Sequence, residues 1–248
     1  MSILSFFSKK EPVKLPFHTD IHCHIVPGVD DGSPDASTSA DLVERMQGWG
    51  ISRIIATPHV TEATFENTPE ILDPALDELR QELARRGNGI EVIRSSENRI
   101  DDFTRELLEK GMIKPMPGNY LLIECSFLQE PMMLDQFIYG LKIQGYKPIL
   151  AHPERYYYYH DNYRRYAELH NLGTLFQINV LSLAGYYSKH EKKVAERLIE
   201  MGCVDFLGTD LHNHRHADSI DHYLTTSDAR RHAVALEGRI FNDRVFRE

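Results

Sequence analysis

The sequence predicts an α/β protein in which parallel strands alternate with helices. Seven short apolar runs of strand length recur along the 248 residues. A helix-length stretch lies between most of them, which is the pattern of βαβ units. No linker rich in Pro, Gly or Ser and no shift in composition divides the chain, so one domain is expected over 17–248, behind a tail at 1–16. The alternation fits either a closed barrel or an open doubly wound sheet. The first strand–helix turn reads His24-Ile-Val-Pro-Gly-Val-Asp-Asp-Gly, without the dinucleotide-binding glycine spacing, which counts against a nucleotide-binding open sheet.

The strands are expected at 17–21, 51–56, 90–93, 120–123, 148–150, 174–178 and 204–207, most of them rich in β-branched or aromatic residues. The first helix, 36–48, follows Ser33, Pro34 and Asp35, a capping sequence. The second, 69–86, carries Ile71, Leu72, Ala75, Leu76, Leu79 and Leu83 on one face. Helices at 103–110, 132–144, 163–171 and 191–201 run out at or near Gly111, Gly145, Gly173 and Gly202, and a last helix covers 227–237.

With 28 basic and 37 acidic residues the net charge is −9, which disfavours nucleic-acid binding. Cys23, Cys125 and Cys203 are odd in number and far apart, as expected of a reducing, cytoplasmic setting without disulfides. No apolar run reaches the roughly 18 residues of a membrane span. Ile3, Leu4, Phe6 and Phe7 precede Lys9 and Lys10, the reverse of a secretory signal. This stretch reads as a flexible tail, with a small dock onto a partner or membrane surface as the alternative.

The chemistry gathers where strands end. His22 and His24 follow the first strand and Asp31 lies in its loop. His59 follows the second, Glu97 the third, Glu124 ends the fourth, His152 follows the fifth, and Asp210 and His212 follow the seventh. In a parallel barrel these ends share one face. Most of the 13 histidines need no role, but five imidazoles and four carboxylates on one face are a different matter. Buried carboxylates are rarely unpaired, so cations must compensate them. Nine donors are too many for one ion and fit two or three. Without thiolate they suit manganese, iron or zinc and disfavour a closed structural zinc site. Three divalent ions over four carboxylates leave about +2, a charge that attracts a phosphate dianion. Cys23 falls on the opposite strand face and reads as packing.

Asp20-Ile-His22-Cys-His24, Thr57-Pro58-His59, Ala151-His152-Pro153-Glu154-Arg155 and Thr209-Asp210-Leu211-His212-Asn213 resemble the polymerase-and-histidinol-phosphatase (PHP) superfamily. Within it, His24-Ile-Val-Pro-Gly-Val-Asp30-Asp31-Gly32 resembles the manganese-dependent, non-cysteine tyrosine-protein phosphatases of bacterial capsule and exopolysaccharide operons. The resemblance spans about 17–215 and implies a distorted, TIM-like (β/α)7 barrel, in agreement with the seven runs. It implies a trinuclear centre held by His22, His24, Asp31, His59, Glu97, Glu124, His152, Asp210 and His212, with Glu97 bridging two ions. Arg155 would hold the substrate phosphate and, with Asp210, serve catalysis. A second family arginine is missing at Ala217, and Arg215 is the nearest substitute.

The implied reaction is direct hydrolysis of phosphotyrosine, on the tyrosine-rich tail of a membrane tyrosine autokinase. None of the three cysteines is followed six residues later by the arginine of a cysteine-dependent phosphatase. A small phosphomonoester such as histidinol phosphate is the alternative substrate. A metal-binding module without turnover is the non-enzymatic alternative, and self-assembly into a homo-oligomer is left open. Tyr156 to Tyr159 read equally as rim packing or as an aromatic wall, as do Tyr186 and Tyr187.

Overall fold

The apolar runs become strands, and every strand pair is parallel. The computed structural model describes residues 11–246. One sheet has the order β1 (Thr19–Asp20), β2 (Arg53–Ala56), β4 (Glu91–Arg94). The other runs β3 (His59–Val60), β5 (Glu97–Arg99), β6 (Tyr120–Glu124), β7 (Lys147–Ala151), β8 (Leu175–Asn179), β9 (Phe206–Gly208). β2 and β3 are two pieces of one strand line, broken where Pro58 has no N–H to donate. β4 and β5 are likewise interrupted at Ser95 and Ser96. Ser95 N donates to Ala56 O at 2.9 Å and Glu97 N to Pro58 O at 3.0 Å, so pairing continues across both breaks. The result is a curled parallel sheet, mixed with helices in the α/β manner expected.

The first and last strand lines meet. Asp210 N donates to His22 O at 2.8 Å and His24 N to Leu211 O at 2.9 Å. Asp20, buried beside them, accepts from Thr209 Oγ1 at 2.5 Å and Thr209 N at 3.2 Å. Burial pushes its carboxyl up to about 6. At the opposite end Asn242 Oδ1 accepts from Leu207 N at 3.0 Å, and its Nδ2 donates to Thr19 O at 3.0 Å and Leu207 O at 2.7 Å. Ile21, Ile55, Leu122, Ile149 and Phe206 form an inner apolar cluster. A larger cluster lies between strands and helices.

The helices start where the sequence supplies caps. α1 (Ala36–Gly48) is capped by Asp35 on Thr38 N, and α3 (Asp102–Glu109) by Asp101 on Thr104 N. α2 (Pro69–Arg85) begins with proline and buries Leu72, Leu76, Leu79 and Leu83. α4 (Leu134–Ile143) and α5 (Tyr163–Asn171) follow β6 and β7. Two helices were not expected. α6 (Val180–Ala184) is buried on nearly every side and so has no amphipathic period. α7 (Lys189–Met201) was expected, but α8 (His214–Leu224) hides its buried Ala217, Ile220, Tyr223 and Leu224 in a His- and Asp-rich run. α9 (Ser227–Leu236) closes the series.

Residues 1–10, including Ile3 to Phe7, lie outside the described residues. Val13 N donates to Leu224 O at 2.9 Å and Leu15 N to Trp49 O at 3.0 Å, so the chain is already docked before β1.

Truncating Asn242 to alanine strands a buried N–H and two carbonyls at the seam. The expected loss is about 2–4 kcal/mol of unfolding free energy, read as a lower urea midpoint. His170 adds a pH-dependent element: its bond to Asp205 Oδ2 at 3.0 Å raises its pKa above the ordinary value against partial burial. A raised histidine pKa stabilises the fold below about pH 6.5 and loses that contribution as pH rises through the folded value. His170→Asn should therefore narrow the stability gap between pH 5.5 and pH 8, measured by urea melts at both.

Candidate metal centre

The carboxyl ends of the strands bring the nine candidate donors together. They fall into four overlapping groups whose ligand atoms lie within 4.8 Å of one another: His24, Asp31, His59 and His212; His22, Glu97 and His152; His22, His24 and Asp210; His59, Glu97 and Glu124. Glu97 is at the middle. Its Oε2 lies 3.4 Å from both His22 Nε2 and His24 Nε2 and 3.0 Å from His59 Nδ1, while Oε1 is 2.8 Å from His152 Nε2. Asp210 Oδ1 faces the same two imidazoles at 3.5 and 3.4 Å. Asp31 Oδ1 stands at the rim, 3.5 Å from His59 Nε2 and 3.6 Å from His212 Nε2.

The imidazole tautomers suit a cation. Gln177 Oε1 accepts from His22 Nδ1 at 2.7 Å, Asp30 Oδ2 from His24 Nδ1 at 2.8 Å, and Asp210 O from His212 Nδ1 at 2.9 Å. With each Nδ1–H donated outward, each Nε2 turns a lone pair inward. Buried His59 Nδ1 and Glu97 Oε2 face each other at 3.0 Å and Glu124 Oε2 lies 3.3 Å from Arg99 Nε, but none of the three makes a hydrogen bond, which leaves them available to a metal. The donor set thus fits divalent ions.

The charges agree. Burial would raise the Glu97 and Asp210 carboxyls, but the facing histidines hold both well below the usual range. Burial and the charge of Glu97 push Glu124 up to about 7. Burial opposes protonation of His22, yet Glu97 and Asp210 outweigh it and lift it to about 9. Burial lowers His152 to about 4. The carboxylates draw positive charge in, and protons on histidine stand where cations would.

Local backbone explains the positioning. His152 (φ 31°) and Asp210 (φ 50°) adopt the left-handed conformation rare outside glycine, just past β7 and β9. Gly32 is required: a Cβ there would lie 2.2 Å from His24 O, so only glycine lets the Asp30–Asp31 turn fold over His24.

The pocket above the cluster has a volume of about 280 Å³. Arg155 lines it, with Nη1 3.1 Å from Asp210 Oδ2 and its guanidinium between the rings of Tyr187 at 4.2 Å and Phe127 at 4.8 Å. Arg215 does not reach the pocket lining and sits exposed on the first turn of α8, whereas His216, expected to be a bystander, lines it. Of the tyrosine run, Tyr156 and Tyr159 are core residues and Tyr157 points to solvent, so the aromatic walls are Phe127 and Tyr187. Asp20 shares the strand with His22 but bonds Thr209 instead of joining the donor groups. Cys23 is buried outside the donor groups.

Sequence reasoning also missed Asp30, Gln177 and Asn179. Asp30 bonds His24, His59 N and Gly32 N, and Asn179 Nδ2 donates to Asp210 Oδ2 at 2.6 Å. Gln177 and Asn179 are alternate polar residues in an otherwise apolar strand, a period-two signal that was legible.

Fold and site together define an α/β protein whose parallel strand ends carry a donor cluster of the cation-binding type. The chain belongs to the capsular polysaccharide synthesis family CpsB/CapC, which matches residues 18–224. It is 34% identical over 195 residues to the tyrosine-protein phosphatase YwqE of Bacillus subtilis (strain 168), covering 78% of this chain and 77% of that one. It is 29% identical over 203 residues to the tyrosine-protein phosphatase CpsB of Streptococcus agalactiae, covering 78% and 82%. The structure superposes with a TM-score of 0.76 and 30% identity on a chain from the crystal structures of YwqE from Bacillus subtilis and CpsB from Streptococcus pneumoniae, described as metal-dependent tyrosine phosphatases. That match covers 90% of this chain and 95% of the other.

Replacing Gln177 with leucine frees His22 to rotate. Its metal affinity should fall by about one to two orders of magnitude, measured by chelator competition on protein with unchanged circular dichroism.

Proposed function

We propose that this chain is a metal-dependent protein-tyrosine phosphatase of capsule and exopolysaccharide synthesis. The observation that carries the reading is the buried donor cluster beneath a pocket holding Arg155 between two aromatic rings. Kinship with proteins named tyrosine-protein phosphatases supports it. The proposed catalytic unit is a distorted (β/α)7 barrel from residue 17 onward, preceded by the segment 1–16.

The proposed ligands of two or three ions are His22, His24, Asp31, His59, Glu97, Glu124, His152, Asp210 and His212, with manganese the leading candidate and iron or zinc next. Bound divalent ions supply Lewis-acid charge stabilisation and a nucleophile at neutral pH. Arg155 presents its guanidinium to the phosphate oxygens, oriented by Asp210 and by the two flanking rings. Phe127 and Tyr187, which hold that guanidinium between them, also line the pocket that the phenyl ring would enter. Tyr187 Oη donates to Asp210 Oδ2 at 3.0 Å and Asn179 to the same oxygen, which fixes that carboxylate. Arg155 lines the pocket and Arg215 does not, so the phosphate contact is assigned to Arg155, with Arg215 left to contact the substrate outside the pocket.

The proposed substrate is a phosphotyrosine protein, with a membrane tyrosine autokinase as the partner and the cytoplasmic face of the membrane as the setting. No helix among the described residues is long and apolar enough to cross a membrane.

The test is phosphate release from a phosphotyrosine peptide and from histidinol phosphate, with manganese, with chelator, and with His152→Ala. Release from the peptide is expected, and both chelator and mutation should lower it by about a hundredfold or more. Preference for histidinol phosphate, or release untouched by chelator, would overturn the proposal.

A further inference from the structure

Away from the pocket, the apolar surface is concentrated in one place. Nine large hydrophobic side chains are exposed among the described residues, and five of them (Leu128, Met132, Met133, Tyr139 and Ile143) fall within positions 128–143. α4 turns Leu134, Ile138 and Leu141 into the core. A second stripe at helical spacing, Met133, Phe137, Gly140 and Gln144, lines a groove of about 400 Å³ against α3. Gly140 is the telling residue. Its φ is not positive, and a Cβ there would meet nothing within 4 Å. Glycine is the poorest helix former after proline, and neither backbone nor packing demands it here. Its effect is to keep the groove open.

The chain itself joins this groove to the pocket. Phe127 lines the pocket and Met133 lines the groove, six residues on, a span of at most about 20 Å. Between them Leu128 and Met132 are 92% and 95% exposed. The connection is braced. Tyr158 Oη donates to Ser126 O at 2.9 Å, Leu128 N donates to Ser126 Oγ at 3.2 Å, and Arg165 pairs with Glu130 and with Asp135 at 2.7 Å. A braced loop that holds apolar side chains out in water marks a contact surface.

We propose that the 128–133 segment and the α3/α4 groove dock an apolar polypeptide flank of the protein substrate whose phosphorylated side chain enters the pocket. This rests on the phosphatase reading above. The occupant follows from continuity: the strip starts at the pocket rim and leads away from it, so a chain anchored by its phosphate is delivered onto it. The groove lining carries one cation and one anion, Arg105 and Glu109, so the flank it fits is apolar and without net charge. Apolar residues at three- and four-residue spacing match its length.

The test uses a fluorescein-labelled peptide of about 24 residues, long enough to span pocket and groove. It has a central tyrosine, with or without phosphate, and flanks of leucine and phenylalanine or of serine. p-Nitrophenyl phosphate reports the pocket alone. The variants are Leu128→Ser with Met132→Ser, Gly140→Trp, and Ile71→Ser on α2 as a control. Wild type should bind the apolar-flanked, unphosphorylated peptide by anisotropy, and both the Leu128/Met132 variant and Gly140→Trp should weaken its Kd about tenfold. KM for the phosphorylated form should rise in parallel, while kcat/KM for p-nitrophenyl phosphate stays within about twofold. Equal binding of apolar and serine flanks, or a Kd unchanged by either the Leu128/Met132 variant or Gly140→Trp, overturns the proposal. So does a change in sedimentation mass with unchanged peptide affinity, which assigns the patch to a second copy of the chain. Anisotropy of the unphosphorylated peptide needs no turnover, so absence of phosphate release from every ester sinks the phosphatase reading separately.

Discussion

Negative charge buried at the carboxyl ends of parallel strands is the constraint on which the rest of this structure depends. Glu97, Glu124 and Asp210 are almost wholly withdrawn from water, and Glu97 lies within 3.4 Å of four imidazoles. Such charges are tolerated only where positive charge faces them. The protein meets this with histidines whose Nδ1–H groups are tied to Gln177, Asp30 and the Asp210 carbonyl, so that each Nε2 faces the carboxylates and holds either a proton or a cation between them. The outward bonds are thus as much a part of the centre as the inward donors.

The same demand shapes the backbone. The strand lines break at Pro58 and at Ser95–Ser96, immediately before His59 and Glu97, and the chain bends to bring both side chains inward. His152 and Asp210 accept left-handed backbone angles for the same end. The closing bonds between the first and last strand lines, with Asp20–Thr209 at one level and Asn242 below, keep these strained positions in register. Stability of the seam and geometry of the centre are therefore linked.

Above the centre, chemistry and recognition separate. Arg155 is held by charge on one side and by aromatic faces on two others, which orients a planar cation without rigid packing around its hydrogen-bonding edge. Phe127 belongs to this wall and also begins the β6–α4 connection, so the pocket and the apolar strip of α4 share one segment of chain.

By itself the sequence determined the α/β class, the parallel strand–helix alternation and which nine side chains are candidate donors, because residue type and period-two or helical spacing are local properties. Strand ends of a parallel sheet share a face, so His22, His59 and Asp210 could be grouped without knowing any distance. What only the tertiary structure decided depends on contacts between distant segments. Gln177 reaches His22 across 155 positions of sequence. The tyrosine run read equally as rim packing or pocket wall, and it is packing that buries Tyr156 and Tyr159, while Phe127 from another loop lines the pocket. Arg215 and His216 are adjacent in sequence, and the orientation of α8 puts one in water and the other in the pocket lining. A linear pattern encodes which face of an element a residue occupies, but where that face points is set by how the sheet curls and closes.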